Sequence, residues 1–167
     1  QLTLRQTGQH PKPLQISFHI ILVPFFIYGF HKFRNIYFVI NWTDLGLIIE
    51  PEPDDLKSPL HPTYCMDRPH IVYCKKSGKY VAWLKIMANV TSQFMCVLQS
   101  DNFTGPYQYV HKMYKPLKMD TGDFTIAVDE KTGKGYLIFD RPHFQLITAT
   151  LSDDFTETTE EYSVHYD

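Results

Sequence analysis

The sequence predicts an all-β protein that forms part of a β-propeller, about two to two and a half blades of it. An internal repeat is the first observation behind this prediction. Two hairpin patterns, Ile71 to Lys85 and Ile126 to Asp140, turn at Lys-Ser-Gly-Lys and at Lys-Thr-Gly-Lys, 55 residues apart. In each turn, glycine supplies the positive φ angle that a tight hairpin needs.

A second repeated pattern has nearly the same spacing. Ser-Asp-Asn-Phe-Thr at residues 100–104 recurs as Ser-Asp-Asp-Phe-Thr at residues 152–156, 52 residues further on. Each copy follows another strand-like run, Gln93 to Leu98 in the first repeat and Gln145 to Thr150 in the second. Four strands in about fifty residues are typical of a propeller blade, which buries its apolar faces between neighbouring blades. An ordinary β-sandwich or meander with a chance similarity is the alternative.

Composition agrees with this fold class and narrows the function. Aromatic residues make up 15% of the chain, and flat rings pack well on a pleated sheet. The formal net charge is -2 and there is no basic stripe. No electrostatic feature therefore favours nucleic acid as a partner.

Cysteine and glycosylation patterns bear on the compartment. The chain has three cysteines, and an odd number leaves room for one disulfide or none. Three sequons for N-glycosylation begin at Asn41, Asn89 and Asn102. They matter only in a secretory pathway, and an extracellular or secreted location is the resulting expectation.

Residues 1–40 differ from the rest and are predicted to be a separate hydrophobic segment, with the propeller domain over residues 41–167. Ile16 to Phe30 is an almost continuous apolar run of 15 residues that includes Pro24. A membrane-spanning helix needs about 20 residues, so a membrane as partner is disfavoured. Three interpretations of the run stay open: buried strands, a signal or anchor segment, and sequence foreign to the fold.

Two aspartates stand at equivalent places in the two repeats. Asp67 and Asp123 each come just ahead of a hairpin, 56 residues apart. The innermost strand of each blade lines the central channel of a propeller, so both carboxylates are expected to face a shared axial hollow. Hydrolysis of a glycosidic bond uses two carboxylates at one site, one protonated and the other ionised. A turn-forming or capping role is the alternative for both.

The motifs around these aspartates resemble those of glycoside hydrolase family 43, whose members are five-bladed propeller glycosidases. Residues 67–73 and 77–83 read Asp-Arg-Pro-His-Ile-Val-Tyr and Ser-Gly-Lys-Tyr-Val-Ala-Trp. They are similar to the family signature E/D-R-P-K/H followed by T-G-K-Y-V-x-W. Thr-Gly-Asp-Phe at residues 121–124 and both Ser-Asp turns resemble further family motifs. The resemblance covers residues 41–165, and the exo-β-1,3-galactanase-like branch fits it best.

The resemblance implies roles for several residues. Asp123 would be the carboxylate that tunes the pKa of the general acid and holds that acid in place. Asp67 would contact the terminal sugar, although its side chain is one methylene shorter than the Glu of many galactanase-like relatives. The predicted substrate-binding residues are Arg68, His70, Trp83 and Arg141. For Trp83, burial in the core is the alternative.

The implied activity is inverting hydrolysis of glycosidic bonds in galactan, xylan or arabinan side chains, with an oligosaccharide or polysaccharide as the partner. No cofactor is predicted, although the resemblance allows a structural calcium ion. No other metal is expected. The metal-capable side chains do not have the spacing of a zinc site; they are His61, Cys65, His70 and Cys74.

The family's general acid, a Glu in an R-E-A-P stretch, has no counterpart before Asp167. Glu160 and Glu161 lie in the turn that precedes the expected position. Loss of a general acid lowers the rate by about 10²- to 10⁴-fold, so the chain is predicted to be an incomplete and nearly inactive fragment. The second hypothesis is a non-catalytic carbohydrate-binding or structural propeller, and a protein-interaction propeller is the third.

Overall fold

The computed structural model describes residues 34–37, 41–44, 47–89, 92–141 and 144–165. The apolar run at residues 16–30 lies outside these ranges, so its three interpretations stay predictions. Within the described ranges, no helix is both long enough and apolar enough to cross a membrane.

The described residues are mostly β-strands, which confirms the predicted all-β class. Two short strands, β1 (Arg34–Tyr37) and β2 (Asn41–Asp44), pair with each other across the predicted boundary at residue 40. Two four-stranded antiparallel sheets follow. The first contains β3 (Cys65–Cys74), β4 (Lys79–Asn89), β5 (Ser92–Ser100) and β6 (Gln108–Tyr114). The second contains β7 (Phe124–Val128), β8 (Gly135–Arg141), β9 (Gln145–Leu151) and β10 (Thr158–His165).

Each sheet is a meander in which the strands pair in chain order. This arrangement is that of a propeller blade, so the predicted partial propeller is confirmed, with two four-stranded blades in the described residues. A short 3₁₀ turn, Pro116–Lys118, lies between the two blades. Strands β3 and β7 open the blades and contact each other, which places the predicted site at their junction.

Glycines close both predicted hairpins. Gly78 has a φ of 72° and donates its N–H to the carbonyl of Cys74 at 2.9 Å. Gly133 has a φ of 74° and donates to the carbonyl of Asp129 at 2.7 Å. The Asp129 carboxylate also accepts a hydrogen bond from the Thr132 hydroxyl at 2.8 Å. Glycine adopts a positive φ without a steric penalty, so the repeated Gly specifies both turns.

The main hydrophobic core lies between the two blades. Side chains alternate along a strand, so Val81 and Trp83 of β4 share one face. That face packs into one core cluster with Leu137 and Phe139 of β8, and all four side chains are fully buried. Contact between successive blades therefore supplies the burial that a lone sheet lacks.

The opposite face of the first blade has its own cover. Ala82 and Leu84 of β4 point to this side and are fully buried. Ile48, Ile49 and Leu60, from the segment that precedes β3, belong to the same core cluster. Burial on both faces explains why β4 is a nearly continuous apolar run rather than an alternating one.

All three cysteines are free thiols. Cys65 is exposed, whereas Cys74 and Cys96 are buried. The Cys74 thiol donates to the carbonyl of Asp153 in the second blade at 3.3 Å. Burial raises the pKa of the Cys96 thiol. Of the two outcomes that the odd cysteine count allowed, the structure has the one without a disulfide.

Candidate active site

The inner strand of the first blade is interrupted where the predicted site lies. Asp67 pairs with Lys85 and His70 pairs with Trp83, so β3 has one residue more than β4 in this interval. This is a β-bulge, a feature that bends a strand and re-aims its side chains. Arg68 lies in the bulge with a φ of 43°, a conformation that costs free energy for a residue other than glycine.

The bulge directs Arg68 towards the second blade. Its Nη2 atom lies 2.6 Å from Oδ2 of Asp123, the residue that precedes β7. Both side chains are about half exposed, at 48% and 53%. Arg68 is one of the predicted substrate-binding residues, and the structure pairs it with Asp123.

A lysine that the sequence analysis did not single out joins the two predicted carboxylates. Nζ of Lys85 lies 3.3 Å from Oδ1 of Asp123 and 3.8 Å from Oδ2 of Asp67. Those two distances together limit the separation of these two carboxylate oxygens to at most about 7 Å. Asp67 and Asp123 thus converge on one point at the junction of the blades, while their catalytic roles stay predictions.

The electrostatic surroundings keep Asp123 ionised. Partial burial acts to raise the pKa of its carboxyl group, but the hydrogen bond from Arg68 and the positive charge of Lys85 outweigh this effect. The pKa of Asp123 is therefore lowered. An ionised carboxylate accepts hydrogen bonds and has no proton to donate, so Asp123 fits a tuning role and not that of a general acid.

Backbone contacts fix Asp123 from behind. The carbonyl of Asp123 accepts the N–H of Asp140 at 2.9 Å, and Gly122 donates to the carbonyl of Asp140 at 2.7 Å. A β-carbon on Gly122 would collide with the Asp140 carboxyl group. A larger residue at this position would therefore force the Asp140 side chain to move.

The predicted substrate-binding residues are placed differently from one another. Arg141 is exposed at the end of β8, next to Asp140 and hence at the same end of the sheet as Asp123. His70 is 9% exposed, and its Nδ1 accepts the backbone N–H of Ile126 at 3.2 Å, which links β3 to β7. Sugar contact by Arg68, His70 or Arg141 stays a prediction.

The structure places Trp83 in the core and not at the site. Its side chain is fully buried, and the indole N–H donates to the carbonyl of Phe155 in the second blade at 2.9 Å. No face of the ring is open to a sugar, so the prediction that Trp83 binds substrate is wrong. The physical reason is strand alternation, since Trp83 lies on the face of β4 that meets the second blade.

The sequence contained a signal for Lys85. It is the one charged residue within the apolar stretch at residues 81–87, and its side chain is only 7% exposed. It follows Trp83 by two residues and so shares the face that meets the second blade. A buried lysine requires an anionic partner, and that requirement could have linked it to Asp67 and Asp123.

The metal-capable side chains of the described residues lie apart from one another. Among the described residues, no three His, Cys, Asp or Glu side chains are grouped so as to hold a metal ion. His61, one of the metal-capable residues, contacts the Thr63 hydroxyl at 2.7 Å and the Pro53 carbonyl at 3.1 Å.

Comparison with solved structures finds propeller glycosidases. A β-1,3-galactosidase of glycoside hydrolase family 43 matches with a TM-score of 0.65 and 28% identity over 74% of this chain. An exo-β-1,3-galactanase from Phanerochaete chrysosporium, solved with β-1,3-galactotriose, gives a TM-score of 0.69 and 21% identity over 77% of this chain. A second family 43 β-1,3-galactosidase, solved with galactodeoxynojirimycin, matches with a TM-score of 0.66 and 21% identity over 75% of this chain.

This chain spans 27%, 30% and 50% of the length of those three chains. Comparisons with protein-family models and with curated proteins find no match. The fold and the structural matches define the class as a partial β-propeller that resembles the solved propellers of glycoside hydrolase family 43. Within that class the chain is glycoside hydrolase family 43-like, and the structures it resembles are β-1,3-galactosidases and exo-β-1,3-galactanases.

Proposed function

We propose that this chain supplies part of the active site of a glycoside hydrolase that cleaves β-1,3-linked galactan with inversion. The observation that supports this most directly is the convergence of Asp67 and Asp123, from adjacent blades, on Lys85. Likeness to galactanases and galactosidases supports galactose as the sugar. Xylan and arabinan side chains are the alternative substrates.

The different surroundings of the two carboxylates support different roles. Asp123 is ionised and more exposed, and its negative charge would raise the pKa of a nearby carboxylic acid, which favours a protonated general acid. Asp67 is 24% exposed, and its carboxylate would accept hydrogen bonds from hydroxyl groups of the terminal sugar. In the inverting mechanism, a base activates water on one side of the sugar and an acid protonates the leaving oxygen on the other.

Sugar binding tests this proposal. The 167-residue chain is expected to bind β-1,3-galactobiose more tightly than xylobiose or arabinobiose in titration calorimetry. Asp67→Asn keeps the shape of the side chain but removes its charge, and a hydrogen bond to a charged group is worth about 1.5–3 kcal/mol. We expect this variant to bind galactobiose about 10- to 100-fold more weakly.

The matched control for that experiment is Asp101→Asn. Asp101 is also an ion-paired aspartate, with Lys79 at 2.7 Å, but it lies in a turn of the first blade away from Asp123. Its replacement should leave the affinity unchanged. Absence of binding to all three sugars, or equal losses in the two variants, would contradict the proposed function.

A specific observation favours the non-catalytic carbohydrate-binding hypothesis as the second candidate. Both carboxylates of the cluster are engaged by cations, and the pKa of Asp123 is lowered, so Asp123 does not act as a proton donor in this arrangement. Galactobiose binding without any turnover, for the chain and for a full-length relative that keeps the same cluster, would support this candidate.

A secreted location is part of the proposal, and the first Ser-Asp turn supports it. Asn102 and Thr104 of the sequon are both exposed. In the equivalent turn of the second blade, Asp154 accepts hydrogen bonds from the Thr156 hydroxyl at 2.9 Å and from its N–H at 3.2 Å. The turn of the second blade contains no sequon. Asn102, in contrast, has an exposed side chain that a glycosyltransferase could reach.

Secretion from a glycosylating host is therefore expected to yield protein with an N-glycan at Asn102. Mass spectrometry of the peptide before and after enzymatic deglycosylation measures the occupancy. Thr104→Val, which removes the sequon hydroxyl and leaves Asn102 in place, should abolish the modification. Secreted protein that lacks a glycan at Asn102 would count against this location.

A further inference from the structure

We propose that Lys85 is a positioning residue that holds Asp67 and Asp123 at one fixed point of the site, an inference that rests on the proposed function. Among the described residues, Lys85 is the cationic side chain that contacts both carboxylates. Arg68, by comparison, is half exposed and is ion-paired with Asp123. Lys85 thus couples a residue of the first blade to a residue of the second.

The strand that carries Lys85 explains why its position is well defined. Trp83, two residues earlier on the same face of β4, is fully buried and bonded to the second blade. Lys85 pairs in the backbone ladder with Asp67 on one side and with Met95 on the other. The ammonium group therefore reaches the junction from β4, a central strand of the first blade. Asp123, in contrast, lies just ahead of β7.

Burial makes the ammonium group dependent on its partners. At 7% exposure the Lys85 side chain has lost most of its hydration, and a buried charge is stable only when it is paired. The titratable and charged groups that face it are Asp67, Arg68 and Cys65 from β3 and Asp123 from the entrance of β7. The two carboxylates supply the compensating charge, so Lys85 attracts both towards the junction.

Removal of the lysine charge should change how Asp123 titrates. Without Lys85, Asp67 and Asp123 are like charges at short range, and repulsion favours protonation of one of them. A nearby opposite charge shifts a carboxyl pKa by roughly 1–3 units. For Lys85→Met we therefore expect the acid dissociation constant of Asp123 to fall by at least about tenfold.

Carboxyl-carbon NMR titration of the full chain measures this directly, without any sugar. Lys85→Arg keeps the charge and should retain titration midpoints near those of the native chain. Lys79→Met removes the lysine that pairs with exposed Asp101 at the other end of β4, and it should leave both site carboxylates unchanged. Lys85→Gln is the second neutral variant, for use if the Met variant does not fold.

The ion pair between Lys85 and Asp123 also makes the stability of the chain depend on pH. The native pKa of Asp123 is lowered, so the ion pair contributes stability above the pKa of the unfolded chain, and this contribution is lost as the pH falls through the folded pKa. Lys85→Met or Lys85→Gln should weaken this loss on acidification. Midpoints of Asp67 and Asp123 that are unchanged in both neutral variants would overturn the inference. Shifted midpoints in a chain that binds no galactobiose would overturn the proposed function alone.

Discussion

Replacement of Trp83 by alanine is expected to lower the free energy of unfolding by about 3–5 kcal/mol, a typical cost for removing a large aromatic side chain from a core. Trp83 is fully buried at the centre of the cluster between the two blades. Its ring lies edge-on to Tyr114 with 5.8 Å between the centroids. Its N–H is bonded to the carbonyl of Phe155 at 2.9 Å. Both the packing and the hydrogen bond between the blades are therefore lost together.

Urea unfolding followed by circular dichroism measures this change. Trp83→Phe is the matched control, because it keeps an aromatic ring in the core but removes the indole N–H. It should cost less than the alanine variant, since one net hydrogen bond is worth about 1 kcal/mol and part of the packing remains. Tyr73→Ala, at a side chain that is 41% exposed, should change the midpoint little. A Trp83→Ala variant as stable as Tyr73→Ala would contradict the placement of the main core between the blades.

Turnover of β-1,3-galactobiose by the 167-residue chain is expected to be about 10²- to 10⁴-fold slower than turnover by the full-length Phanerochaete chrysosporium galactanase, the factor that a general acid supplies. Asp123 does not have the surroundings of a proton donor. Asp123 is ionised by its two cationic partners, and Asp67 lies beside the buried ammonium group of Lys85. The chain should therefore bind a sugar better than it cleaves one.

Side-by-side assays of the two proteins give this ratio. A dinitrophenyl β-galactoside has a leaving group that needs no protonation, so any residual activity of the chain should be greater on this substrate than on galactobiose. Asp123→Asn tests whether the residual activity comes from the described site. Galactobiose turnover within tenfold of the relative, and sensitive to Asp123→Asn, would show that the cluster holds an acid after all.

The fold was predictable because its signals are local and repeated. Two glycines with positive φ set the hairpins, and two Ser-Asp turns mark the later part of each blade. The choice of Asp67 and Asp123 followed from their equivalent places ahead of the hairpins, and the structure brings both to the junction. The repeat along the chain predicts these positions, because each blade is built from four consecutive strands.

The chemistry at the junction was less predictable, because it depends on which faces meet. Trp83 matched a family motif and was chosen for sugar binding, yet alternation along β4 turns it into the core. Lys85 was overlooked, although the same alternation places it beside the two aspartates. The bulge at Arg68 is also absent from the sequence pattern, because an extra residue in one strand is defined only by its pairing with the next.

The amino-acid order alone determined that this chain is all-β, that it repeats a four-stranded unit and that each unit opens with an aspartate. Only the tertiary structure decided which side chains share the junction of the blades. The physical reason is that turn and strand preferences act between near neighbours, whereas the contact of Lys85 with Asp123 depends on two sheets packing against each other.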